Sequence, residues 1–294
     1  MQKRTKIAIS IILLVTLLVA IVLELPSAQS YKALAFMSKV AGLDLTRYTV
    51  RGPISYSGNG FPDMLVYVLT SEVSDLKVFF QFENGTLQTC QLQSTKGSPI
   101  FAGATSTDLI TSAKNILERY QSFSANIYIP TMQEMLNFTI ARNEGGTFTR
   151  SLGEITLVIH VQNNIGDFVW SYTPNGMEDH YKTVDLTIEN GNFKFFLNSW
   201  DLFKLGTTEV NVTREQAIKT AKDYALKTYS DYNSTFEILD NNAMATLSLQ
   251  TRAPYMLYPH WEILLPLDKP IGAIGSIRVL LWADTGQVTY IAGV

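Results

Sequence analysis

Cysteine is almost missing from this chain of 294 residues, in which Cys90 stands alone. One thiol cannot close an intrachain disulfide, so packing has to hold the fold together. An unpaired cysteine is most often a small buried apolar side chain, and Cys90 is expected to fill that role on a strand. Histidine is scarce as well, with three in all. His180 follows Glu178 and Asp179, and His260 lies near Glu262, but no H-E-x-x-H pair or Cys/His cluster at zinc spacing occurs. No metal site and no cofactor are therefore expected. The sequence also lacks a G-x-S-x-G elbow and a glycine-rich phosphate loop, and Cys90 has no histidine close to it in sequence. These gaps leave no catalytic residue to nominate, and the chain is not expected to be an enzyme.

An excess of one charge sign is lacking too. The 23 basic and 26 acidic residues give a net charge of −3, and no dense Lys/Arg stretch follows residue 6, so no electrostatic footprint for nucleic acid exists. What is present is apolar: 46% hydrophobic, 11% aromatic and 17% charged residues describe a chain able to bury a core.

The longest hydrophobic run comes first. Lys3, Arg4 and Lys6 precede an uncharged stretch from Ile7 to Leu23 that Glu24 closes. As a helix this stretch is about 26 Å long, slightly short of the bilayer core, and Leu25 can extend it. The basic cluster orients the segment with its start in the cytoplasm and everything after Glu24 outside. Two readings fit residues 1–28. One is an uncleaved membrane anchor; the other is a secretory signal, although its cleavage site after Ala28 would carry Pro26 at the minus-three position. Either way the bulk of the chain is expected outside the cell membrane, single-pass or secreted. Export makes the Asn-X-Ser/Thr triplets at Asn84, Asn137, Asn211 and Asn233 candidate N-glycosylation sites.

A weak pattern recurs three times along the remainder: an amphipathic helix, some strands, then a hairpin with a glycine turn. Asn84-Gly85 and Asn190-Gly191 supply the two positive φ values of a type I′ turn. A two-residue loop then sets Phe82 opposite Leu87, Ile188 opposite Phe193 and Leu186 opposite Phe195. The third hairpin turns through Asp284-Thr285-Gly286. Leu109, Ile110, Ala113, Ile116, Leu117 and Tyr120 form one helical stripe, with Ser106 or Thr107 as its cap. Thr213-Arg214-Glu215-Gln216 reads as a capping box ahead of a face built from Ala217, Ile218, Ala221, Tyr224 and Ala225. A first helix is expected from Ser30 to about Gly42. Further strands are expected at 64–70, 155–161, 168–172, 245–249 and 261–267. The class is α+β, with the N-terminal transmembrane or signal helix followed by tandem helix-plus-antiparallel-sheet units. Cuts at the polar linkers give an anchor or signal at 1–28 and units at 29–103, 104–207 and 208–294.

The third unit resembles the PepSY family, named for the propeptides of secreted peptidases and related membrane-anchored proteins. Thr213-Arg214-Glu215-Gln216-Ala217-Ile218, continuing to Ala221 and Ala225, is similar to the family's helix start. Ala283-Asp284-Thr285-Gly286-Gln287-Val288 is similar to its closing hairpin, with the aspartate directly before Thr-Gly instead of further upstream. The resemblance covers residues 213–294. It implies a helix on a small antiparallel sheet, exported or membrane-tethered, that binds and restrains a peptidase or another envelope protein, and it carries over no catalytic residue.

Within that unit Tyr255, Tyr258, Trp261 and Trp282 flank Pro259-His260-Trp261-Glu262. Aromatic strand residues usually serve the core, while exposed ones are favoured at interfaces. Tyr258, Trp261 and Trp282 are the candidate partner-binding residues. The function expected is an extracytoplasmic binding or regulatory protein, with a self-associating structural component of the cell envelope as the alternative.

Overall fold

The computed structural model describes residues 27–58, 61–103, 106, 108–138, 145–232 and 236–294. The chain separates into two compact units, Met1–Ala104 and Thr105–Val294.

In the first unit, helix α1 (Ala28–Lys39) precedes strands β1 (Thr49–Gly58), β2 (Phe61–Thr70), β3 (Asp75–Glu83) and β4 (Thr86–Lys96), which pair antiparallel in sequence order. Ser27 caps α1 by accepting from the Ser30 amide at 3.1 Å. Strict alternation along β3 sends Leu76, Val78, Phe80 and Phe82 into the core. There Phe80 meets the edges of Phe36 and Tyr67, with ring centroids 6.3 Å and 6.1 Å apart. Cys90 lies fully buried opposite Phe80. Asn84 and Gly85 take φ of 50° and 73°, the left-handed pair that a tight hairpin needs, and Phe82 faces Leu87.

In the second unit, α2 (Leu109–Ser124) and the short α3 (Ile129–Glu134) lead into β5 (Gly146–Leu152), β6 (Ile155–Gln162), β7 (Ile165–Tyr172), β8 (Thr183–Glu189) and β9 (Asn192–Asn198). These strands are antiparallel, in the spatial order β9-β8-β7-β6-β5. Ile110, Ala113, Ile116, Leu117 and Tyr120 of α2 are buried as a stripe. Its cap is Asp108, which accepts from the Thr111 amide at 2.9 Å, and not the expected Ser106 or Thr107, of which the latter lies outside the described residues. Ile188 faces Phe193, but a bulge between Thr187 and Ile188 sets Leu186 opposite Phe196 instead of Phe195. One extra residue exchanges the two faces of a strand. It is therefore Phe196 that is fully buried, 4.6 Å from the Tyr120 ring.

The same unit continues through β10 (Lys204–Leu205), α4 (Arg214–Thr228), β11 (Met244–Ala253), β12 (Met256–Ile271), β13 (Ile274–Trp282) and β14 (Val288–Gly293). Strands β11 to β14 form an antiparallel sheet in sequence order, and β10 runs parallel to the start of β12. The capping box of α4 is present: Thr213 N donates to Gln216 Oε1 at 2.8 Å, and Gln216 N to Thr213 Oγ1 at 3.3 Å. Ala217, Ala221 and Ala225 bring α4 down onto Trp261, Ile263, Leu265, Ile277, Val279 and Leu281. Because this i, i+4, i+8 row makes the contact, Tyr224 sits at its margin and is 46% exposed.

The expected α+β arrangement of tandem helix-plus-sheet units is corrected by this architecture. Strand accounts for 48% of the described residues, and the fold is mostly antiparallel sheet. Strands that carried no clear alternation in sequence, among them β1 and β5, join the meanders and widen the sheets beyond what each helix can cover. The anchor or signal segment expected over 1–28 falls outside the described residues as far as residue 26. Among the described residues no helix is long and apolar enough to cross a membrane.

Candidate functional site

The sheet of β11 to β14 has two faces, and α4 covers one. Since successive strand residues point to opposite sides, the face away from α4 receives Tyr258, His260, Glu262 and Leu264 from β12, and Ser276, Arg278, Leu280 and Trp282 from β13. Three named aromatics are thereby divided. Trp261 goes inward, 7% exposed, and its indole N–H donates to Val212 O at 2.9 Å. Tyr258 and Trp282 stay together on the outer face, half-buried, with ring centroids 6.3 Å apart.

What joins them is Arg252. A bulge between Thr251 and Ala253 leaves Arg252 without a partner residue on β12, and bulges of this kind re-aim a side chain. Its guanidinium carbon lies 4.2 Å from the centroid of Tyr258 and 4.2 Å from that of Trp282. The fork end is held by Asp284, which accepts from Nη1 at 3.0 Å and from Nη2 at 2.5 Å. The hydrogen bonds from Arg252 hold the Asp284 carboxyl below its usual range. Cation–π contact with two rings together with a bidentate carboxylate uses what guanidinium has and ammonium lacks. Gly206 makes room for the arrangement, because a Cβ there would stand 2.1 Å from Tyr258 Cζ.

His260 sits beneath Trp282, 5% exposed, with ring centroids 4.9 Å apart. Thr289 Oγ1 donates to Leu280 O at 3.2 Å, which leaves the hydroxyl oxygen to accept from His260 Nε2 at 3.3 Å. Burial, with the Arg252 cation adding to it, pushes the imidazole down to about 4, so His260 is neutral at physiological pH. Further along the face an ion pair joins Arg278 Nε and Glu262 Oε1 at 3.1 Å, between exposed Met244 and Tyr290. The chemistry on offer is recognition through aromatic surface, an oriented cation and two carboxylates.

Two other polar groupings lie in the second unit. Asn198 Nδ2 donates to the hydroxyls of Tyr120 and Tyr128 at 2.6 Å and 2.7 Å. Tyr128 in turn donates to Asp201 Oδ2 at 3.1 Å, and burial raises both phenols. On β8, Asp185 points to the side opposite the buried Val184 and Leu186, and its Oδ1 is buried without a hydrogen-bond partner. Burial pushes its carboxyl up to about 6, and nearby Asp167 adds to the rise.

Of the glycosylation candidates, Asn84 is exposed at its turn, and Asn137 is exposed with Oδ1 accepting from Lys114 at 2.9 Å. Asn211 donates from Nδ2 to Asp284 O at 3.1 Å, and Asn233 lies outside the described residues. The two stretches that carry the family resemblance meet in space: Asn211 N and Val212 N, just ahead of the capping box, both donate to Ala283 O. Among the described residues no three His, Cys, Asp or Glu side chains gather as a metal site. Sequence reasoning missed Arg252 and Gly206. Nothing in local pattern marks either, because each matters only through the register that brings it to Tyr258.

No family model matches the chain, and no curated protein matches it in sequence. Among solved structures it is similar to the Bacillus megaterium YpeB C-terminal domain, at 11% identity and a TM-score of 0.40, covering 89% of this chain and 96% of that one. It is also similar to an uncharacterized protein from Eubacterium rectale ATCC 33656, at 11% identity and a TM-score of 0.36, covering 89% of this chain and 81% of that one.

Proposed function

We propose that this chain is an extracytoplasmic binding or regulatory protein with a PepSY-like C-terminal part, tethered to the cell membrane by its N-terminal hydrophobic stretch or released by cleavage there. Its outer sheet face holds an envelope protein, with a peptidase as the partner class. The observation that carries this reading is the Arg252 guanidinium set between Tyr258 and Trp282 and fixed by Asp284. Tyr, Trp and Arg are the side chains that dominate binding hot spots, since they bring large contact area at small conformational cost. A cation already oriented on rigid strands loses little further entropy when a partner covers it.

The test is cross-linking on intact cells, purification of the full chain from membranes, and identification of what stays attached. Wild type is expected to retain a discrete envelope protein, and Arg252→Ala and Trp282→Ala chains to lose it. Retention of the same protein by both folded variants would overturn the assignment of this face.

A further inference from the structure

Edge strands expose unpaired backbone groups, and proteins usually guard them with charges, proline, bulges or a covering segment. Three edges here are guarded. Strand β1 carries Arg51 and Pro53 with two register shifts, β5 carries Arg150, and β11 is covered where Glu178 bonds to Leu247 and Leu249. Strand β14, Val288-Thr289-Tyr290-Ile291-Ala292-Gly293, has no charge and no proline, and its one bulge lies near its start. Among the described residues no backbone group pairs with its outer side.

The direction of its free groups follows from the ladder. Ser276 and Val294 exchange both backbone hydrogen bonds, at 3.1 Å and 2.8 Å. In an antiparallel pair such residues alternate, so Ala292 and Tyr290 also turn their N–H and C=O toward β13, opposite Arg278 and Leu280. Ile291 and Gly293 therefore turn theirs outward.

We infer that β14 is a dimerisation edge that pairs antiparallel with β14 of a second copy of this chain, about a two-fold axis at Ile291. The strand is complementary to itself in that register. Ile291 exchanges both hydrogen bonds with Ile291 of the second copy. Tyr290, 52% exposed, falls opposite Ala292, so a large side chain meets a small one on the outer face. No like charges come face to face, because 288–293 hold none. The two sheets then join into one, closing both open edges with an isologous contact. This pairing is independent of the partner proposed for Arg252 and Trp282.

The test uses the full chain in detergent, with protein mass from light scattering and amide exchange read at Ile291 and Gly293. Wild type is expected to be a dimer in which these two outward amides exchange at least about tenfold slower than in a Tyr290→Lys chain. Ile291→Pro removes an N–H that β13 does not use, and is expected to give a monomer with unchanged circular dichroism. Should that variant not fold, Tyr290→Lys and the exchange rates decide. A wild-type monomer at every concentration, a dimer that survives the folded variants, or a dimer whose Ile291 and Gly293 amides exchange as an open strand would each overturn the inference.

Discussion

Trp261 and Val212 are joined by a hydrogen bond of 2.9 Å from the indole nitrogen to the backbone carbonyl, which pins the middle of β12 to the residue that precedes the capping box of α4. Trp261→Phe keeps most of the buried ring and strands that carbonyl, so it is expected to cost about 1 kcal/mol. Trp261→Ala opens a cavity as well and should cost about 3–5 kcal/mol. Urea titration of both variants checks the ordering. Partner retention by Trp261→Phe should equal that of wild type, since this ring faces α4.

Arg252→Lys tests the outer face. Lysine keeps the charge but cannot stay against both Tyr258 and Trp282 while forking to Asp284. The pair is partly exposed, so stability should change by less than about 1 kcal/mol. Partner binding should weaken by about tenfold or more, measured by titrating the captured protein against immobilised chain. Equal affinity with an unchanged melting temperature would remove Arg252 from the recognition surface.

Local pattern was enough for much of this fold. The Asn84-Gly85 and Asn190-Gly191 turns, the Thr213 capping box and the α2 stripe each depend on residues within a few positions of one another, and all four are present. Features decided by distant strands were not legible. The bulge that exchanges Phe195 for Phe196 adds one residue to a regular alternation, and nothing in the hairpin sequence marks where. Strand β1 lacks alternation because it is an exposed edge. Tyr258 and Trp282 could be named as aromatics, but their separation from Trp261 follows from odd and even positions along paired strands, and the arrival of Arg252 between them follows from another bulge.

The Asn198 network gives a stability prediction. Its amide serves two buried tyrosine hydroxyls at once, which Asn126 Nδ2 also reaches at 3.4 Å and 2.6 Å, and its Oδ1 accepts from the Trp200 amide at 3.0 Å. Asn198→Ala therefore removes one donor from each hydroxyl, strands the Trp200 N–H and should destabilise by about 2–3 kcal/mol. Tyr128→Phe removes one hydroxyl together with its need for a partner and should cost less. Chemical denaturation of the two variants, compared at one pH, reads the difference.

Asp185 gives a pH prediction. Its folded carboxyl titrates at about 6, above the ordinary value of 3.8. The stability linked to its protonation is therefore fully present below about pH 4 and lost as pH rises through 6. Asp185→Asn should be more stable than wild type at pH 7 to 8, by ~1–2 kcal/mol after discounting for residual solvent contact, or about 3–6 °C in Tm. The advantage should shrink between pH 6 and 4 and vanish below. His260 runs in the opposite sense: its folded value of about 4 means that the stability it confers is whole above pH 6.5 and drains as pH falls through 4.

Cys90 lies in the apolar interior of the first unit, and desolvation pushes its thiol well above the ordinary range. At neutral pH it is neither ionised nor reachable, so alkylating dyes should pass it by. Any thiol engineered onto the surface then becomes the sole attachment point for a fluorophore or spin label. The native chain is in effect a cysteine-silent background, ready for site-specific labelling without a single preparatory mutation.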